Sequence, residues 1–253
     1  MTLADERLKE LDNLSLTTDE RALLRCRVAA DLIHGGQYEK AREALGELWR
    51  GTGERPNVEG LGESTAAEVL LQTGALSGWL AKVKGAQEAA KDLISEGAAL
   101  FEKLGQTNSA AAARSDLAVC YWREGSYDDA RAILESASAL IKEDETLKAK
   151  TVLRLAVVEA SAGRYGDTLR LLTDAAPLFG EGASHYLRGS FHNEFALALR
   201  RLGTSERRQD YFDRAIIEYT AAACMFVVGR EEAVTFRLTE SNSPRPHWSV
   251  QGR

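Results

Sequence analysis

Between Leu117 and Ile141 the apolar positions fall in steps of three and four: Leu117, Val119, Cys120 and Tyr121, then Ala130, Ile133, Leu134, Ala137, Leu140 and Ile141. That spacing keeps one face of a helix apolar, whereas a half-buried strand alternates every second residue. The apolar run is broken once, at Glu124 to Ser126, so the stretch predicts two helices joined by a short turn. Gly125 supplies the backbone freedom that ends the first helix, and Tyr127 covers the turn. Ala118 and Ala130, twelve residues apart, are small enough to let the two helices approach where they cross.

The same arrangement recurs. Ala156, Gly163, Tyr165 and Thr168 repeat it, as do Ala29, Gly36, Tyr38 and Ala41. Gly78, Gly85 and Ala90 form a looser copy. A last copy places Ala196, Leu199 and Gly203, then inserts TSERRQD before Tyr211, Phe212 and Ala215. The anchors Ala41, Ala90, Ala130, Thr168 and Ala215 lie 49, 40, 38 and 47 residues apart. Self-similarity at such a period is the mark of a helical solenoid. Helix starts are expected at Thr17 to Glu20 and at Thr65 to Glu68, each a Thr-x-x-Glu capping box.

Ala118, Tyr121, Gly125, Tyr127 and Ala130 resemble the tetratricopeptide repeat family, and Ala196, Leu199, Gly203 and Ala215 resemble it with an insertion. The likeness runs over about residues 20–228. The family's usual proline after the second helix is missing and the period is longer than its usual 34 residues. Both departures imply longer helices, as in the divergent repeats of bacterial regulatory proteins. It implies an all-α, right-handed superhelix of about five hairpins, acting as a non-catalytic protein or peptide binder, a scaffold or regulator.

Within that frame residues 1–16 are expected to form an N-terminal capping helix, 17–240 the solenoid, and 241–253 a disordered tail. The Gly-rich stretch 51–63 reads as a flexible loop between the first two units. Glu231 to Leu238 could begin a further helix that finds no second half. The C-terminal end of the solenoid is thus left uncapped, a place where two copies could pair as a homodimer.

Composition narrows the function. The 253-residue chain is 44% hydrophobic and carries a net charge of −6, which disfavours a dedicated nucleic-acid binder. The first residues lack the apolar core of a secretion signal, and no run approaches the roughly 18 apolar residues of a membrane helix. A cytoplasmic protein is expected. Cys26, Cys120 and Cys224 each lie in an apolar helical setting, so buried reduced thiols are expected rather than disulfides or zinc ligands. No pair among His34, His185, His192 and His247 has a metal-ligand spacing, and no phosphate loop, GxSxG or HExxH occurs. Neither metal nor cofactor is expected, and the chain reads as a non-enzyme.

Binding residues follow from the resemblance, which sets the first helix of each unit on the concave face. The register of the small residues puts Trp79, Lys82, Trp122, Arg123, Lys150, Asn193, Arg200 and Arg201 there, with His34 at the start and Arg154 beside the set. Glu39, Glu43, Asp128, Asp129, Glu135 and Asp167 fall in second helices, on the outer face. A cationic groove on an acidic protein suits an acidic segment or a C-terminal carboxylate, held bidentately by Arg. His192, Asn193 and Glu194 are read as the start of a first helix. Two other readings stand beside this one: a solenoid that changes conformation on sensing a peptide, and an RNA binder using the five arginines of 200–214.

Overall fold

The computed structural model describes residues 16–81 and 84–228, so the expected N-terminal cap, the 241–253 tail and the Glu231 to Leu238 segment lie outside the described residues. Ten α-helices are described: α1 (Thr18–His34), α2 (Tyr38–Leu45), α3 (Glu63–Leu80), α4 (Lys84–Lys103), α5 (Thr107–Glu124), α6 (Tyr127–Leu140), α7 (Glu145–Ser161), α8 (Tyr165–Ala175), α9 (His185–Glu206) and α10 (Gln209–Val228). Short 3-10 turns follow α2 and α8. There is no strand among the described residues.

The helices form five hairpins. Each second helix packs on its own partner, and α2, α4, α6 and α8 also pack on the first helix of the next hairpin. The first helices α1, α3, α5, α7 and α9 also touch in succession, forming one continuous layer. The core is accordingly a string of linked clusters. One gathers Val28, Leu45 and Trp49 with Leu76; another joins Leu71 and Ile94 to Cys120; a third joins Leu153 and Leu172 to Phe191.

One turn chemistry ends five of the helices. In each, a residue in the left-handed region precedes an amide that reaches back five residues, the bond pattern of a Schellman cap. The amides of Gln37, Gln106, Ser126, Arg164 and Arg208 donate to the carbonyls of Leu32, Phe101, Tyr121, Glu159 and Gly203. The left-handed residues are Gly36, Gly105, Gly125, Gly163 and Arg207. Glycine adopts this conformation without strain, whereas Arg207, at φ 55°, brings a Cβ against the following carbonyl.

Arg207 also corrects the reading of the last copy. The residues TSERRQD form no separate loop: they extend α9, make the turn and open α10. Gly203 lies inside α9, where an added Cβ would stand 3.0 Å from Cε2 of Phe212 in α10. Gly203 is thus a close-approach residue against α10 rather than a turn residue, and 200–214 is two helix ends with a tight turn between them.

Small residues set the helix spacing. On Gly74 a Cβ would meet Cγ1 of Ile94 at 2.7 Å and the Ala90 carbonyl at 3.0 Å; on Gly97 it would meet the Ala67 carbonyl at 2.9 Å. The α3–α4 backbones are thus in near contact. In the looser second copy, Gly85 falls in the first turn of α4 rather than in the connection.

The N-termini are capped in two ways. Thr17 and Glu20 form the expected capping box on α1: Glu20 N donates to Thr17 Oγ1 at 3.2 Å, and Thr17 N donates to Glu20 Oε2 at 2.8 Å. At α3 the expected box at Thr65 to Glu68 is absent, because the helix begins earlier, at Glu63. A residue far away in sequence does the capping instead. Asp19 Oδ1 accepts from Gly62 N at 2.9 Å, and the Asp19 carboxylate also bonds the Thr65 side chain. These two hydrogen bonds, Thr65 first, hold the Asp19 carboxyl below its ordinary range.

The loop before α3 is tied down rather than free. Trp49 Nε1 donates to the Glu54 carbonyl at 3.0 Å, Asn57 N to the Leu48 carbonyl at 2.8 Å, and Arg55 forms a two-pronged pair with Glu96. Further along, the buried Glu159 of α7 accepts from Arg131 Nε at 2.6 Å and from Arg164 Nε at 2.5 Å, joining the ends of α6 and α8. Leaving such a carboxylate unpaired would be costly, so both arginines are needed for it to sit there.

Two outcomes follow. Arg207→Gly relieves the left-handed strain and raises stability by about 0.5–1 kcal/mol, read from the urea midpoint at unchanged slope. Because its folded pKa is lowered, Asp19 contributes stability above the unfolded carboxylate range and loses it as pH falls. The wild type should therefore melt higher than Asp19→Ala at neutral pH, with the gap closing in acid; a gap independent of pH would refute the cap.

Candidate binding face

The face is built on the sides of α3, α5 and α7 that point away from the second helices. Gly74 of α3 faces α4 and Gly78 faces Cys120 of α5, while a stripe about a third of a turn away carries Glu68, Gln72, Ala75 and Trp79 at helical spacing. The matching stripe of α5 is Ala112, Asp116, Val119 and Arg123, and that of α7 is Lys150, Arg154, Val157 and Ser161. Small and apolar residues make the floor, with charged side chains rising from it.

The charges are mixed. Arg154 Nη2 pairs with Asp116 Oδ1 at 2.5 Å, and its Nη1 donates to Ser115 Oγ at 2.8 Å. Glu68 accepts from Gln72 Nε2 at 2.9 Å and stands within electrostatic reach of Asp116 on one side and Arg27 on the other. Burial pushes the Glu68 carboxyl up and Asp116 adds to the rise, while Gln72 and Arg27 oppose it. The face thus runs Arg27, Glu68, Asp116, Arg154 across four successive first helices, with Lys150 exposed beyond them.

At the turn edge lies an aromatic stack. The rings of Tyr38 and Trp79 lie 5.5 Å apart and 12° from parallel. The Arg123 guanidinium sits over the Trp79 ring at 4.6 Å, and its Nη1 reaches the Trp79 carbonyl at 3.4 Å. Burial lowers the pKa of this guanidinium from its ordinary value, while the nearby Tyr38 and Cys120 act against the drop. The stack welds hairpins one, two and three together.

The expected binding residues therefore divide. Trp79, Arg123, Lys150 and Arg154 share the inner stripes, although Arg123 is engaged with Trp79 and Arg154 with Asp116. Trp122 turns toward the next hairpin: its Nε1 donates to Ser161 Oγ at 2.8 Å, and its ring joins Ala118, Leu134 and Val158. Asn193 is half-buried, its amide 3.4 Å from the Glu194 carboxylate. Arg200 and Arg201 are exposed near the end of α9. Lys82 and the His34 side chain lie outside the described residues. His192 is mid-helix rather than at a helix start, and its Nδ1 is 2.7 Å from Glu218 of α10.

Glu68, Asp116 and Arg27 were not among the expected residues, though each is an inward-facing position counted from the small residue of its own helix. Elsewhere the arginine-rich segment is partly spent on itself. Arg208 pairs with Asp210 at 2.5 Å and stacks on Tyr211 at 4.3 Å. The six acidic residues expected on the outer face all lie in α2, α6 and α8. Cys26 and Cys120 are buried, and burial pushes both thiols up, Cys120 to about 12. Cys224 is exposed, against expectation, because its apolar surroundings on α10 face outward. No helix of the described residues is long and apolar enough to cross a membrane.

If Arg123 is a tie between hairpins, Arg123→Ala should cost about 1–2 kcal/mol in a urea titration, and Arg123→Lys should recover only part of it. An unchanged midpoint would show the stack to be incidental.

Comparison with known proteins agrees with this architecture. The family model for the tetratricopeptide repeat matches residues 88–150, which span α4 to the start of α7. Bacillus thuringiensis PlcR, solved with the peptide PapR7 and DNA, superposes with a TM-score of 0.63 at 16% identity, over 87% of this chain and 74% of that one. The putative kinesin light chain of Podosopora anserina, with nearly identical tetratricopeptide-like repeats, gives a TM-score of 0.52 at 16% identity, over 80% of this chain and 97% of that one. No curated protein matches the chain in sequence. Residues 88–150 match the tetratricopeptide repeat model, and the described residues form an all-α solenoid of tetratricopeptide-like hairpins.

Proposed function

We propose that this protein is a non-catalytic binding module that captures a peptide or protein segment along the inner face of its first helices, as a regulator or scaffold. The observation that carries the reading is the continuous inner stripe itself, with a floor of Ala75, Ala112, Val119 and Val157 beneath charged side chains. A shallow trough of small residues admits an extended backbone, and the charges at its sides choose the sequence.

The preferred segment is one that presents a carboxylate to the α7–α9 end, where Lys150 and Arg201 are exposed and Arg154 is paired with Asp116. Arg is suited to a bidentate hold on such a group. Toward α3 and α5, Glu68 and Asp116 favour a cationic or amide-bearing residue. The bound segment would thus be of mixed charge, acidic at one end. A second reading, a peptide-sensing switch, draws on the likeness to PlcR, a protein solved with a peptide and DNA. A cytoplasmic setting fits both.

The test is fluorescence anisotropy with labelled peptides carrying acidic C-termini. Lys150→Glu combined with Arg201→Glu should weaken binding by about 10-fold or more, since each removes an attraction and adds a repulsion. Paired charge reversals on the outer face, at Glu39 and Asp129, should leave binding unchanged. Equal affinity in the Lys150 and Arg201 variant would sink the inner-face reading. A peptide-dependent change in hydrodynamic radius would favour the switch.

A further inference from the structure

The fifth hairpin presents a surface that none of the others has. The second helices α2, α4, α6 and α8 each lean on the first helix of the hairpin that follows. Among the described residues α10 packs extensively only on α9. Its far side carries Ile216, Ile217, Val227 and Val228, which are 57–66% exposed, together with exposed Thr220, Ala223 and Cys224. No ionisable side chain other than the cysteine interrupts this stripe. Its single hydroxyl is already satisfied, since Thr220 Oγ1 donates to the Ile216 carbonyl at 2.8 Å. A monomeric protein rarely leaves so ordered a row of β-branched residues in water.

We propose that this stripe is the contact between two copies of the chain, the two α10 helices lying antiparallel about a two-fold axis. The spacing supports a second copy over a different partner. Ile217, Thr220, Cys224 and Val227 are separated by three, four and three residues, a series that reads the same in both directions. An antiparallel two-fold therefore sets Ile217 against Val227 and Thr220 against Cys224, aliphatic on aliphatic and small on small, twice over. It also opposes the two helix dipoles. Each copy carries a net charge of −6, so copies repel over most of their surface, and an uncharged stripe is where they can meet without placing like charges together.

The size suffices. The stripe from 216 to 228 is about 18 Å long at 1.5 Å per residue, on a helix about 10 Å across. Two such faces remove on the order of 1,000 Å² from water over both copies, the lower edge of a specific interface. The inference does not depend on what the inner face binds.

The experiment uses the full 253-residue chain. Sedimentation equilibrium should give twice the monomer mass at micromolar concentration. Ile217→Glu combined with Val227→Glu should weaken the dimer by roughly 100-fold or more. Circular dichroism checks that the variant keeps its helix content. Independently, Thr220→Cys should form an inter-chain disulfide with Cys224 of a second copy under mild oxidation, seen as a non-reducing dimer. Cys224 is the one exposed thiol among the described cysteines, so its maleimide labelling should also slow as concentration rises. A monomer at every concentration overturns the proposal. If Cys224 is then protected, residues 229–253 of the same chain cover the stripe instead. A dimer indifferent to the double substitution overturns the assignment of this face.

Discussion

The rest of the structure depends on how closely successive helices approach. Where α3 meets α4, the absence of a side chain at Gly74 and Gly97 brings each backbone within reach of the other's carbonyls. Gly78 leaves space for the Cys120 sulfur of the next hairpin, and Gly203 leaves space for the Phe212 ring. Ala118, Ala130, Ala156 and Thr168 play the same part in the third and fourth hairpins and are completely buried or nearly so. A larger residue at any of these crossings would push two helices apart. Because hairpins stack only on their neighbours, the shift would pass to the packing of the next unit.

That spacing determines what the inner face can be. First helices in lateral contact leave a shallow face floored by Ala and Val, and their next row of side chains is close enough to pair across helices. Arg154 reaches Asp116, and Glu68 feels Arg27 and Asp116. The charged groups are thus partly committed to one another before any ligand arrives. On the proposed reading, ligand selection would fall to the exposed cations Lys150 and Arg201, and to carboxylates that a matching cation could share.

Much of the fold was legible in local pattern. The Gly-x-Tyr turns at 36–38, 125–127 and 163–165 appear where the sequence places them, because a left-handed cap is a property of a few consecutive residues. Failures came where a local signal met a distant residue. Thr65 to Glu68 reads as a capping box, yet the helix starts earlier because Asp19, 43 residues before Gly62, accepts the orphan amide. In the last hairpin Gly203 reads as the turn glycine followed by an insertion, yet Gly203 lies inside α9 and Arg207 takes the left-handed position. Trp122 and Arg123 are adjacent in sequence, but 100° of helical rotation sends one into the next hairpin and the other over Trp79.

The sequence by itself determined the repeating hairpin, its turn chemistry and its small-residue crossings, since each rests on conformational preferences acting within about one unit of chain. Tertiary structure alone decided which charges face one another, which tryptophan is structural, and which apolar helix face is left outside. Those outcomes depend on the angle at which one helix lies on another, and on whether a further helix follows to cover it. Neither is written in the period of the residues. Cys26 and Cys224 both sit in apolar helical stretches, and among the described residues a neighbouring hairpin covers the first while no further helix packs over the second.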